Sequence, residues 1–214
     1  MILGVGAGKR LTSAGRNSMV HDRKRCKRYD IEGDAHHLTF SCYHCMPLLS
    51  KDRSCRWVLQ ALQLGREKGQ FHLWAFVIMP EHVHIVLWPR NGARVSEILT
   101  TFKQSVSKQA LLWLRQNAPQ FLPRLLDAQP NGKRAYRFWQ RGGGHDRNLR
   151  SISDVYEKIE YIHANPVRRG LVQTPQTWPW SSCLAWESGG DEPIAIDRAS
   201  LPPLMPGDER HRLP

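Results

Sequence analysis

The sequence predicts an α+β fold, an antiparallel sheet with helices packed on it. Three observations carry that expectation. Residues 37–44, 71–78 and 82–88 have the alternating or continuously apolar character of strands. Helical periodicity appears at about 52–67, 96–117 and 151–166. Strands and helices do not alternate regularly, and only Met79-Pro-Glu81 separates the second strand from the third, so that pair reads as a hairpin.

Each element has a local cause. In HLTFSCYH (37–44), Leu38, Phe40 and Cys42 share one face and Thr39, Ser41 and Tyr43 the other. Asp52 or Ser54 can cap a helix that runs to Glu67 and that Gly69 stops. FHLWAFVI (71–78) and HVHIVLW (82–88) are the hairpin strands, closed by Pro89-Arg-Asn-Gly92. From Ser96, Leu99, Phe102 and Val106 fall at helical spacing until Asn117-Ala-Pro119. Residues 119–133 are loop-like, Tyr136–Trp139 is a short strand candidate, and Gly142–Gly144 is a connector. Ser151, with Asp154 three residues on, opens a last helix that ends at Pro166.

Length and charge bound the function. The chain has 214 residues, 41% hydrophobic, with mean hydropathy −0.50, which predicts one folded centre with polar ends. We expect a basic arm at 1–28, one domain at 29–187 and a flexible Pro-rich tail at 188–214, with Met19 a second candidate start. The net charge of +12 points to a polyanion, nucleic acid or an anionic membrane surface. No apolar run approaches a membrane span, and the N-terminus lacks a signal-peptide pattern. Five cysteines fit reduced thiols in a cytoplasm better than a disulfide framework.

Two constellations bear chemistry. His82 and His84 flank Val83 on the third strand, and strand side chains two apart share a face. The pair is either a two-imidazole metal platform or two half-buried histidines satisfied by backbone. His36 and His37 diverge on an extended chain, and Cys42-Tyr-His-Cys45 has no second cysteine pair, so Cys42 reads as core. In the last helix Ile152, Val155, Ile159 and Ile162 form the apolar stripe. Tyr161 lies roughly 140° from its centre, with Asp154, Lys158 and Asn165 within about 60° of the tyrosine. That face is either a site or a solvated surface.

Taken together, His37-Leu-Thr-Phe-Ser-Cys-Tyr43, Val77-Ile-Met-Pro-Glu-His-Val-His84, Arg137-Phe-Trp-Gln140, Tyr161-Ile-His-Ala-Asn-Pro-Val-Arg-Arg-Gly-Leu-Val172 and Trp178-Pro-Trp-Ser-Ser182 resemble the single-tyrosine transposases of the HUH (histidine–hydrophobic–histidine), insertion-sequence-200-like class. Within it the match is to the REP-associated tyrosine transposases, where REP denotes repetitive extragenic palindromes. The resemblance spans about Tyr29 to Ser182. It implies an RRM- or ferredoxin-like HUH transposase fold and a divalent metal ion, Mg²⁺ or Mn²⁺, on His82, His84 and Asn165. It implies Tyr161 as nucleophile, with Lys158 able to stabilise its phenolate. The expected activity is metal-dependent nicking and strand transfer of single-stranded or hairpin DNA through a 5′-phosphotyrosine. Arg25, Lys27, Arg28, Arg137, Arg168 and Arg169 would neutralise phosphates, and Trp139 could stack a base or pack in the core. The expected setting is cytoplasmic and nucleoid-associated, as a monomer or homodimer, with no membrane partner. A palindrome-binding protein without turnover and a water-using metal phosphoesterase remain as rivals.

Overall fold

The computed structural model describes residues 33–129 and 131–205. Its elements are β1 (Ala35–Ser41), α1 (Asp52–Glu67), β2 (Phe71–Ile78), β3 (His82–Pro89), α2 (Val95–Asn117), β4 (Leu126–Ala128), β5 (Arg134–Tyr136), β6 (His145–Leu149), α3 (Ile152–His163), α4 (Asn165–Arg168) and α5 (Cys183–Ser188), with short 3-10 turns between them. The sheet order is β2-β3-β1-β6, and every neighbouring pair is antiparallel. With the small β4–β5 hairpin set aside as an insertion, this is the ferredoxin-like β-α-β-β-α-β arrangement.

The sheet is covered on both faces. On one, Leu38, Phe40, Ile85 and Leu87 pack with Val58 and Leu62 of α1 and Leu99, Phe102 and Val106 of α2. On the other, Ala35, Ala75, Val77, Val86 and Leu149 meet Val155, Ile159 and Ile162 of α3. Double-sided burial explains why β2 and β3 are almost continuously apolar. The second face continues into polar residues. Thr39 pairs with His84 and Ser41 with His82, so β1 and β3 present these side chains together beside the apolar patch.

The outer edge of β2 is paired by the C-terminal segment. Leu73 N–H donates to the Asp197 carboxylate (2.8 Å) and Leu73 C=O accepts from Asp197 N–H (2.8 Å). Phe76 N–H donates to Ser182 Oγ (2.9 Å) and Phe76 C=O accepts from Ser182 N–H (3.0 Å). Ile78 N–H donates to Trp180 C=O (2.8 Å), and the indole N–H groups of Trp186 and Trp178 donate to the Trp74 and Ile78 carbonyls. An edge strand needs such partners or a covering segment.

Several sequence expectations shift. β1 starts and ends earlier than 37–44, because Tyr43–Cys45 turn into a 3-10 segment with His44 and Cys45 at positive φ. The 136–139 strand is displaced to 134–136, and Trp139 makes only an isolated bridge to Cys42. A strand not foreseen, β6, follows Gly144 and pairs with β1. The last helix breaks after His163, and α4 begins at Asn165 with Pro166 in its first turn. The segment after 188, expected as a flexible tail, packs on the sheet as far as Leu201, because β2 needs its edge covered. The basic arm lies outside the described residues, as do Arg25, Lys27 and Arg28.

Candidate active site

His82 and His84 leave β3 on the face that α3 covers, and their Nε2 atoms stand 3.0 Å apart. Each ring is held from behind. His82 Nδ1 is 3.1 Å from Glu81 Oε1; a carboxylate only accepts, so Nδ1 carries the proton and His82 Nε2 offers its lone pair. His84 Nδ1 is 2.8 Å from the Thr39 hydroxyl and 3.2 Å from His37 Nε2. A hydroxyl can donate or accept, so Thr39 leaves His84 free to place its proton on either nitrogen.

Burial sets the charge state. Desolvation, then the charges of His82, His37 and His145, pushes His84 down to about 3. Desolvation, then neighbouring His145, Lys158 and Arg147, pushes His37 down to about 4. His82 is lowered by desolvation, against the raising pull of Glu81. The cluster is therefore neutral near pH 7, which is the form in which imidazole binds metal.

The donor set fits a divalent cation. Two ligands at a right angle on a cation with bonds of about 2.1 Å stand about 3.0 Å apart. The outer nitrogen of His82 already donates to a carboxylate, and that of His84 can donate to a hydroxyl, as ligating histidines generally do. Among the described residues no group of three or more His, Cys, Asp or Glu is arranged to hold a metal. Asn165 is 9% exposed, at the start of α4. Its Nδ2 donates to the carbonyls of Tyr161 (3.2 Å) and Ile162 (3.3 Å). That commitment orients the amide and leaves Oδ1 as the atom a cation could use.

Tyr161 is 39% exposed, with its ring centroid 6.2 Å from those of both His84 and His37, edge-on to each. Arg168 stacks over the ring at 4.5 Å and Lys158 stands 5.4 Å from its centroid. Lys158 Nζ also pairs with Glu157 (2.7 Å). Asp154 does not join the tyrosine; it pairs with Arg147 of β6 (2.8 Å). Arg169 pairs with Glu81 (2.8 Å).

Two of the expected DNA-contact residues have partners within the protein. Trp139 is 5% exposed and packs edge-on against Phe40 and Phe138, which leaves no free ring face for a base. Arg137 is ion-paired with Asp127, which also holds Arg141. Trp178 spends its N–H on β2.

His37, Thr39 and Glu81 were not singled out by sequence reasoning. His36 and His37 do diverge, and His36 pairs with Asp146 on the other side (2.8 Å). The signal that could have found His37 and Thr39 is antiparallel register, which the sequence alone did not fix. A cavity of about 480 Å³, lined by Trp57, Trp113, Phe121 and Phe138, lies with α1 and α2 and includes none of these residues.

No family model matches the chain. A Haemophilus influenzae protein, named provisionally as a REP-associated tyrosine transposase, is 26% identical over 117 residues, 54% of this chain. The match spans 61% of that relative's length. The structure of a REP-associated tyrosine transposase bound to a REP hairpin superimposes with a TM-score of 0.58 at 20% identity, covering 76% of this chain and 84% of the other. The fold is therefore the one that structure has. Both of these proteins carry the name of the family that the motifs resemble. No described helix is long and apolar enough to cross a membrane.

Proposed function

We propose that the chain is a transposase of the REP-associated tyrosine type, a metal-dependent enzyme that nicks and rejoins single-stranded or hairpin DNA through Tyr161. The observation that carries this reading is the Tyr161 ring beside a neutral, convergent His82–His84 pair. The name of the Haemophilus influenzae relative and the REP hairpin bound in the superimposed structure support the choice of DNA as substrate.

The chain's residues divide the work. His82 and His84 would hold the ion through Nε2, with Asn165 Oδ1 as the further donor. All three donors are neutral, so a bound Mg²⁺ or Mn²⁺ would keep its charge for polarising a phosphate oxygen. Tyr161 is the nucleophile. A tyrosine ordinarily loses its proton near pH 10, so attack at neutral pH needs help. Arg168 and Lys158, on the same side of α3–α4, can meet the phosphate as it arrives and offset the charge that builds there during attack. The phenolate oxygen bonds to phosphorus, the bond from phosphorus to the 3′ oxygen breaks, and that oxygen leaves as a 3′-hydroxyl after taking a proton. The 5′-phosphotyrosine keeps the bond energy, so the reverse attack by a 3′-hydroxyl rejoins strands without a nucleotide cofactor.

A labelled single-stranded hairpin incubated with the protein and Mg²⁺ or Mn²⁺ should give a denaturant-stable protein–DNA adduct. Tyr161→Phe should abolish the adduct and leave hairpin affinity within a few-fold. An adduct that persists in the variant removes Tyr161 as nucleophile. Cleavage without adduct in the unaltered chain points to a water nucleophile. Binding without cleavage under either metal points to a hairpin-binding protein.

A further inference from the structure

We infer that Glu81 is a positioning residue that joins the two halves of the site; the inference rests on the metal-dependent reading above. The Glu81 carboxylate has two partners on the same oxygen, His82 Nδ1 (3.1 Å) and Arg169 Nη1 (2.8 Å). The first belongs to the histidine strand. The second sits just past α4, the segment that begins with the Asn165 amide and directly follows the Tyr161 helix.

The main chain at Glu81 is also fixed. Its carbonyl accepts from Cys42 N–H (2.8 Å), at the end of β1. Cys42 is fully buried. A residue in the hairpin turn would otherwise be free to swing. Here its backbone is tied to the sheet and its side chain to two partners, so the carboxylate direction is set before any ligand arrives.

Two consequences follow from elementary chemistry. The acceptor-only carboxylate keeps the His82 proton on Nδ1, so Nε2 is permanently available as a donor. His84 has no such fixed partner, because the Thr39 hydroxyl can reverse its role. The site thus contains one preset ligand and one adaptable ligand. The second consequence is geometric. Arg169 N–H donates to Asn165 C=O (3.0 Å), so the Arg169–Glu81 pair pins the Asn165 turn to the strand that bears the histidines. The pair spans 88 residues of chain, where loop closure alone would leave the two segments free to move relative to each other. Arg169 is half exposed, so this leg is a moderate electrostatic restraint reinforced by direction, whereas the Glu81–His82 leg is largely shielded.

Nitrogen-15 NMR of the metal-free protein tests the first leg. His82 should show the Nδ1–H tautomer near pH 7, and Glu81→Ala should lose that preference. Mn²⁺ titration should weaken by about 10- to 100-fold in Glu81→Ala, the usual range for loss of a carboxylate behind a metal-bound histidine. Glu81→Gln, whose amide oxygen still accepts from Nδ1–H, should keep the tautomer and recover part of the Mn²⁺ affinity. Arg169→Gln should keep the tautomer, lower Mn²⁺ affinity by less than Glu81→Ala does because only the Asn165 turn is loosened, and lower the rate of Tyr161 adduct formation; Mn²⁺ affinity equal to that of the unaltered chain removes the Arg169 leg.

An Nε2–H tautomer of His82 in the unaltered protein overturns the proposal without any variant. So does equal Mn²⁺ affinity in Glu81→Ala and the unaltered chain. An unaltered protein with the Nδ1–H tautomer that binds no Mn²⁺ removes the metal reading instead and leaves Glu81 as the residue that orients His82.

Discussion

His163 shows how a motif residue can serve the fold beside the chemistry. It lies two positions after Tyr161 but faces inward, 8% exposed, with Nε2 2.8 Å from Ser182 Oγ. Ser182 in turn bonds both the N–H and the C=O of Phe76 in β2. The consistent assignment has His163 Nε2–H and Phe76 N–H donating to the hydroxyl oxygen and the hydroxyl donating to the Phe76 carbonyl. A proton added at Nδ1 would be buried, and desolvation lowers His163 to about 4 from 6.5. Between those pH values the unfolded chain takes up a proton that the folded chain refuses. Stability is therefore full above pH 6.5 and is lost as pH falls toward 4. The loss attributable to this group approaches about 1.4 kcal/mol per pH unit inside the window. His37 and His84 are depressed in the same sense and add to the slope. Urea unfolding between pH 7 and pH 5 should show a steep loss of free energy, and His163→Gln should make it shallower by about one proton's worth. Equal slopes in the two proteins would mean that His163 accepts its proton while folded.

At the scale of elements, β6 matters most, because it flanks β1 where Thr39 meets His84. It approaches closely only because residue 144 is glycine. A Cβ at Gly144 would stand 2.1 Å from the Thr39 carbonyl oxygen and 2.8 Å from Phe40 Cβ, with φ at +82°. Gly142 has a similar φ of +85° but nothing within 4 Å of its would-be Cβ. Gly142→Ala should thus cost about 1 kcal/mol, the left-handed backbone penalty alone. Gly144→Ala adds a clash with backbone that cannot swing aside, and should cost upwards of about 3 kcal/mol. Thermal melts compare the two, and amide hydrogen exchange across β1 and β6 should speed up only in Gly144→Ala. Similar costs for both would remove the close-approach argument. The same strand marks the limit of sequence reading. β2, β3, α1 and α2 were legible because their apolar periodicity is strong and both sheet faces are buried. His145–Leu149 contributes only Leu149 to the apolar core, so no periodicity announces it. The histidine pair and Tyr161 could be found by spacing and resemblance. His37 and Thr39 could not, because their place beside His84 follows from pairing register, and Glu81 could not, because its role depends on Arg169 some 88 residues away.

At the scale of the whole molecule, the sheet is the partition. α1 and α2 close one side, and α3 closes the other and brings Tyr161 to the histidines. Such a sheet has two edges, and β2, with Trp74 fully buried, is one of them. Segment 178–201 supplies the partners that a further strand would have supplied, so the tryptophans and serines of Trp178–Ser182 serve as edge partners here. Asp197 is the far anchor of that strap. Its carboxylate accepts from Leu73 N–H and from Arg66 Nε (2.9 Å), while its N–H serves the Leu73 carbonyl. Ser200 and Leu201 follow at once, and the Ser200 hydroxyl accepts the Trp74 indole N–H (2.8 Å). If this segment were a loose tail, Asp197→Ala would be silent, as surface substitutions usually are. As an anchor, its loss leaves Leu73 N–H without its acceptor and Arg66 without its carboxylate. The expected cost is about 2 to 3 kcal/mol, since a hydrogen bond to a charged group is worth about 1.5 to 3. Asp197→Asn, which can still accept from Leu73 N–H but has no charge for Arg66, should cost roughly half as much. Urea unfolding monitored by tryptophan fluorescence measures both. The order Ala worse than Asn worse than unaltered is the signature of the strap, and three coincident curves would return residues 188–205 to the status of a tail.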